Sequence, residues 1–259
     1  MTKNKTKITI LGSGTSSGVP LLGCQCKTCT SQNPKNMRHR ASACIEANGQ
    51  VFLIDTTPDL KQQVVQNKIY HVDAVLYTHP HADHLHGIDD LRSFNFVMKK
   101  SIPCFGNSWT ISTIYKRFNY IFNPPQQKGG GVPSLTLHLM QKTHNFNGLK
   151  IYPLALKHGK LPVLGFRIKD IAYITDCSYI PQNTFRYLKK LEILVLDCLR
   201  PREHSTHLNT EQAIELAKKI GAEKTYFTHM GHEIEYEEFA RTLPKNMYPA
   251  YDGLKINAS

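Results

Sequence analysis

At 259 residues, with 41% hydrophobic and 20% charged side chains, the chain has ample length for the core of an ordinary globular protein. A formal charge of +12 favours anionic substrates. The basic residues are dispersed, with no arginine-rich block or RNA-binding aromatic signature, so a phosphate-seeking cleft is preferred and a nucleic-acid partner is secondary. No run of ~18 apolar residues and no signal-peptide core is present, which excludes a spanning helix and points to the cytoplasm, with no membrane partner. Seven cysteines, an odd number, argue against a complete disulfide framework.

In chain order, residues 8–11 read as a strand entering a Gly/Ser loop. Residues 43–47 and 51–55 flank Asn48-Gly49, a hairpin signal. A helix is expected from Thr57-Pro58, with Pro58 at its first position and Leu60, Val64 and Val65 on one face. The apolar run 72–77 reads as a buried strand. Residues 88–98 are amphipathic and residues 109–122 look helical. The segment 123–133, rich in Pro and Gly, is a lid or a connector. Strands follow near 134–140, 150–156, 163–168 and 171–175, then a helix, a strand at 192–196, a helix at 210–220 and a strand at 224–227. No composition shift divides the halves, so residues 1–259 read as one domain of two helix-covered sheets, with a cysteine-rich loop at 23–29.

The strand at 72–77 delivers Thr78-His79-Pro80-His81-Ala82-Asp83-His84. Imidazole nitrogens and a carboxylate oxygen are ligands that zinc and similar cations accept. The spacing turns His79 and His81 to one side, while Asp83 and His84 begin a turn facing elsewhere, so one segment can serve two metals. Three later strands end on ligand-type residues: His158, Asp176 and His229. His86 has no slot in the pattern and is expected behind the ligands.

This ordered set resembles the metallo-β-lactamase superfamily, whose His-x-His-x-Asp-His, His, Asp, His pattern is met in full. The resemblance implies a four-layer αβ/βα sandwich of the α/β class, with the metals at one edge of the sheets. It further implies that His79, His81 and His158 hold one divalent ion, that Asp83, His84 and His229 hold a second, and that Asp176 bridges them. Two cations ~3.5–4 Å apart can share a water and bring its pKa towards neutrality, giving a bridging hydroxide nucleophile. Hydrolysis of a phosphodiester, lactone, thioester or β-lactam would follow, with zinc, manganese or iron as the metal.

Cys24, Cys26 and Cys29 form a C-x-C-x-x-C run able to wrap one tetrahedral ion, with Cys44 or His232 as fourth ligand. Gly12 to Gly18 is glycine-rich, but Pro20 and the cysteines follow where a nucleotide fingerprint needs a helix, so no nucleotide cofactor is expected. Residues 12–29 together with the metal motifs and His232 look like the phosphoribosyl 1,2-cyclic phosphate phosphodiesterase group of the superfamily. That resemblance implies a structural zinc on Cys24, Cys26, Cys29 and His232. It also implies a small, cyclic phosphodiester substrate and a catalytic histidine, matched best by His207, that protonates the leaving alkoxide or clamps a phosphate oxygen, with His204 its competitor. Asp83 and His207 are the catalytic candidates. Arg38, His39 and Arg40 would meet a phosphate or lie on the surface. The alternatives are a ribonuclease Z-like tRNA processor, disfavoured because no long basic insertion is present, a cofactor-biosynthesis relative, and a non-enzymatic metal-loaded scaffold. A homodimer is an open assembly state.

Overall fold

The structure is a computed structural model that describes residues 6–124 and 131–258. The expected lid or connector at 123–133 falls largely outside the described residues. Two seven-stranded sheets face one another. The first has the order β14 (Lys255–Ala258), β1 (Thr6–Gly12), β2 (Ser42–Ala47), β3 (Gln50–Ile54), β4 (Ala74–Leu76), β5 (Ile102–Gly106), β6 (Leu135–Leu139). The second has the order β13 (Met247–Pro249), β12 (Lys224–Thr228), β11 (Ile193–Asp197), β10 (Ile171–Ile174), β9 (Leu161–Ile168), β8 (Leu149–His158), β7 (His144–Phe146).

Strand side chains alternate between faces, and both faces of each sheet are covered, so nearly every position in the central strands is apolar. In β2 and β3, Ala43, Ile45, Phe52 and Ile54 turn inward to meet Phe166, Tyr173, Ile193 and Val195 of the opposite sheet. Cys44 and Leu53 turn outward, against Leu60, Leu91, Phe94 and Ile114 of α1 (Leu60–Asn67), α3 (Leu91–Met98) and α4 (Ser108–Arg117). On the second sheet Ala172, Leu194, Leu196 and Phe227 pack outward on α6 (Thr210–Ile220) and α7 (Tyr236–Thr242). The result is the expected helix–sheet–sheet–helix sandwich. No helix among the described residues is long and apolar enough to cross a membrane.

β3, β4, β5 and β6 run parallel, as do β10, β11, β12 and β13. β8 and β10 both pair antiparallel with β9, so they point the same way. The residues that follow β3, β4, β10, β11 and β12, and the last residue of β8, therefore gather at one rim. A backbone bond from Leu164 to the carbonyl of Thr78 (2.9 Å) ties the sheets together there.

Several elements differ from the sequence reading. α1 starts at Leu60 rather than at Pro58, because the Thr57 hydroxyl accepts the Asp59 amide (3.1 Å) and holds a turn. Its buried face carries Gln63, which accepts from the Thr57 hydroxyl and donates to the Arg40 carbonyl (2.9 and 2.8 Å), while Val65 is 69% exposed. The 109–122 helix breaks at Phe118 into α4 and α5 (Asn119–Phe122). The helix expected after residue 175 is a 3₁₀ segment, Gln182–Tyr187.

Gly87 shows how closely the rim loops meet. A Cβ there would lie 2.0 Å from the Thr57 carbonyl oxygen. Gly87→Ala should force apart the loop after β3 and the turn carrying Asp83 and His84, at a cost of about 3 kcal/mol. For a chain of this size that lowers Tm by roughly 6–12 °C. An unchanged melting temperature would show that the two loops are not in contact.

Candidate metal centre

Two residues after β4 comes Thr78, whose amide and hydroxyl both donate to the buried carboxylate of Asp55, at 2.8 and 2.7 Å. With its proton spent there, the hydroxyl accepts from His79 Nδ1 at 3.0 Å. His79 is thereby fixed with Nδ1 protonated and Nε2 free. That Nε2 converges on His81 Nδ1 at 3.0 Å. On β8, His158 Nδ1 donates to the Thr206 carbonyl at 2.9 Å, which frees its Nε2 as well. Ligand atoms of His79, His81 and His158 lie within 4.8 Å of one another.

After His81 the chain turns into the single-turn helix α2 (Ala82–Leu85), which carries Asp83 and His84 to the other side. His84 Nδ1 donates to Asp55 at 2.7 Å, so its Nε2 points inward, 3.1 Å from Asp83 Oδ2 and 3.2 Å from Asp176 Oδ2. Asp83, His84, Asp176 and His229 form a second cluster within 4.8 Å. Asp176 faces both groups: its Oδ1 lies 3.3 Å from His229 Nε2 and 3.8 Å from His79 Nε2. The structure thus brings His79 and His81 together with His158, and Asp83 and His84 together with Asp176 and His229.

His79, His84 and His158 each have one nitrogen tied to a hydroxyl, carboxylate or carbonyl and one turned inward, the arrangement of histidines that ligate metals. The Nε2 atoms of His84 and His229 are buried without a hydrogen-bond partner. Burying such atoms is costly unless something accepts their lone pairs. The residues therefore fit two divalent cations.

The electrostatics agree. Burial, with the neighbouring His84, pushes His79 well down, and burial also pushes down His81 and His158, favouring the neutral form that ligates. Burial opposes charge on Asp176, but His229, His84 and His79 outweigh it and hold the carboxyl well below its usual range. Burial likewise opposes charge on His84, where Asp176, Asp83 and Asp55 prevail and push it well up. A cation entering the second cluster must displace that proton.

Asp55, Asp176 and His229 all have left-handed backbones, with φ of 63°, 52° and 61°. Each sits where a strand stops and its side chain must swing back over the rim.

His207 is buried beside this centre. Its Nδ1 is 3.3 Å from Asp197 Oδ1, its Nε2 3.9 Å from Asp176 Oδ1, and its ring stacks on His229 at 4.8 Å. Burial opposes its charge, but Asp197 and Asp176 outweigh it and push His207 up to about 9. His204 is half-buried, its ring 5.1 Å from that of His207, and its Nδ1 accepts from the Thr206 amide at 3.3 Å. Of the two competitors His207 is the one against Asp176.

Cys24, Cys26 and Cys29 place their sulfurs 3.3, 3.5 and 3.6 Å from His232 Nδ1. A tetrahedral zinc with Zn–S of about 2.3 Å and Zn–N of about 2.0 Å requires an S···N edge of about 3.5 Å. The Cys29 backbone, aided by His232, pulls the Cys26 thiol down to about 6, while burial pushes Cys29 up to about 11. The four residues fit one closed site. Cys44 instead lies in the core between sheet and helices, where burial pushes its thiol up, and is set aside as fourth ligand.

Two expectations are corrected. His86 is exposed and lies 5.9 Å edge-on to Phe118, not behind the ligands. Arg38 is neither on the surface nor open to a phosphate: it is 2% exposed and bonded to backbone carbonyls. Its neighbours pair with acids, His39 with Asp252 and Arg40 with Asp59. Asp55, Asp197, Thr78 and Thr206 escaped the sequence reading. Asp55 and Asp197 close buried apolar strands just as Asp176 does, which was the available signal.

A sequence model of the beta-lactamase superfamily domain matches residues 50–230, and the chain belongs to that superfamily, in its metallo-β-lactamase branch. A solved diphosphatase from the PhnP family is 37% identical with a TM-score of 0.92, over 98% of this chain and 97% of that one. Zn²⁺-bound PqqB from Methylobacterium extorquens is 18% identical with a TM-score of 0.79, over 97% and 100%, a likeness of fold alone. An octanoyltransferase of Porphyromonas gingivalis is 35% identical over 251 residues, 95% of this chain and 50% of the relative. The chain thus spans half the length of that curated relative. The chain therefore has the metallo-β-lactamase hydrolase fold, shared over nearly its whole length with the PhnP-family diphosphatase.

Proposed function

We propose that the chain is a phosphodiesterase that uses two divalent metal ions, zinc or manganese, and acts on a small, cyclic phosphodiester such as a phosphoribosyl 1,2-cyclic phosphate. His79, His81 and His158 are assigned to one cation, Asp83, His84 and His229 to the other, and Asp176 to both. One observation carries the reading: the Asp176 carboxylate stands between two ligand sets with the His207–Asp197 pair beside it. Cations held there supply Lewis acidity to the phosphoryl oxygens and a water acidic enough to attack at neutral pH.

The chain's own residues do the rest. Asp55 and Thr206 keep the imidazoles in the tautomers that leave a lone pair inward. Asp197 keeps His207 protonated, so Nε2–H can pass its proton to the departing sugar oxygen, leaving a neutral imidazole with Nδ1–H still on Asp197. The formal charge of +12 suits an anionic substrate. The 37%-identical relative is a diphosphatase, which supports P–O hydrolysis on this scaffold and makes a phosphoanhydride the second reading.

The test is metal analysis with a panel of cyclic ribose phosphates, bis(p-nitrophenyl) phosphate, a nucleoside diphosphate, precursor tRNA, lactones and thioesters. Turnover of lactones without phosphodiesters sinks the proposal, turnover of precursor tRNA alone favours the ribonuclease Z-like reading, and no turnover at all favours a scaffold. His207→Asn should lower kcat about 10²–10⁴-fold on an alkoxide leaving group. The loss should be much smaller on p-nitrophenoxide, which leaves without a proton. Equal losses on both would remove His207 as the acid.

A further inference from the structure

Arg38 is the charged side chain that the proposed chemistry leaves unexplained. Its guanidinium is buried, yet the hydrogen-bond acceptors it meets are all neutral: the Gly231 carbonyl (3.0 Å), the Ile234 carbonyl (2.8 Å) and the Asn36 amide oxygen (3.2 Å). Its Nε is buried with no partner. Burial pulls its pKa down to about 10 against the pull of Asp252 and Glu235, the latter bonded to the far side of the Asn36 amide. A buried cation without an adjacent anion is strongly unfavourable.

The position of those acceptors suggests what offsets the cost. Gly231 and Ile234 flank His232, so the guanidinium brackets the backbone that delivers the fourth ligand of the cysteine site. The backbone of Arg38 pairs with Val19 in both directions, at 2.8 and 2.9 Å. Val19 leads directly into the cysteine loop, where the Leu21 amide meets Cys29 Sγ at 3.3 Å. One residue thus joins the two segments that meet at that site. Three thiolates, one neutral imidazole and Zn²⁺ would sum to a charge of −1, opposite in sign to the guanidinium. The same loop also carries His229, three residues earlier, with its Nε2 towards Asp176. Met230 is fixed between them by bonds with Ser13 and Thr15, at 2.9 and 3.2 Å.

We propose that Arg38 is a positioning residue that staples the cysteine loop to the 229–234 loop and supplies the counter-charge of a thiolate-rich zinc complex, so that filling the structural site also sets His229. The proposal rests on the structural-zinc assignment and is independent of which ester the enzyme cuts.

The test uses the full chain, Zn²⁺ and Co²⁺ as probes, and the variants Arg38→Met and Arg38→Lys. In the cobalt-loaded protein a thiolate-to-metal charge-transfer band reports the cysteine site, and the d–d bands report the histidine–aspartate centre. Arg38→Met should drop from three metals per chain to two, lose the thiolate band and bind the remaining metals about 10–100-fold more weakly. Arg38→Lys keeps the charge but not the fork. It should retain the thiolate band yet release zinc to a chelator faster than wild type, and it is the decisive variant if Arg38→Met does not fold. A full thiolate band and three metals in Arg38→Met, or wild-type zinc release in Arg38→Lys, overturns the role of Arg38. A wild-type protein with no thiolate band removes the zinc assignment and the counter-charge role with it, while leaving the dinuclear reading to its own test.

Discussion

Asp176→Ala should cost on the order of 10⁴-fold in kcat/KM, the scale seen when one member of a cooperating catalytic set is removed. The reason is geometric. Asp176 offers Oδ2 to His84 at 3.2 Å and Oδ1 to His229 at 3.3 Å, with His79 and His207 also within 4 Å. Its two oxygens face both clusters, so its loss removes an anion from both proposed cations at once. It also leaves His84 less able to keep its charge in a pocket where burial opposes it. Metal analysis of the purified variant should show the two-ion centre reduced to one ion or none. Asp176→Asn, which keeps the shape and removes the charge, should fall almost as far. An Asp176→Ala enzyme with full activity would refute a centre built on a shared carboxylate.

Cys26→Ser should remove a third metal and a large share of the stability. Ligands that meet only in the folded chain make metal binding part of folding, at about 10–16 kcal/mol for zinc in small peptides. If about 5 kcal/mol of that survives here, where a substantial core shares the load, Tm should fall by roughly 10–20 °C. The cysteine loop joins His232, and the loop of His232 joins His229, so activity should fall along with stability. Chelation of the wild-type protein should reproduce the shift, and the variant should be insensitive to the same treatment. A variant with unchanged metal content would show that the three sulfurs near His232 hold no ion.

The sequence made the candidate ligands legible because they close or follow apolar strands with residue types that metals accept, and parallel strands bring such ends to one rim. The tautomers were not legible. They depend on Asp55, Thr78, Asp197 and Thr206; Asp55 and Asp197 close apolar strands as Asp176 does, but which histidine each holds shows only when distant strands meet. Arg38 was misread because polar residues are usually exposed, and only its contacts with carbonyls 193 and 196 residues away put it inside. β5 went unassigned because Pro103 reads as a strand breaker. β4 pairs with β5 from Cys104 onwards, while the Ile102 amide is turned to β6, so the missing N–H of Pro103 falls before that ladder begins. β7, β13 and β14 are short edge strands, of three, three and four residues, too short to show a period.

The left-handed backbones at Asp55, Asp176 and His229 carry a consequence for anyone engineering the protein. Such a conformation costs a non-glycine residue about 1–3 kcal/mol, and glycine adopts it freely. At these three positions the residue placed at the candidate centre is a poorer choice for the backbone than glycine, which could not take its proposed part. A library screened for heat resistance alone would therefore tend to enrich variants that have lost the candidate site, and thermal tolerance needs to be selected together with metal content.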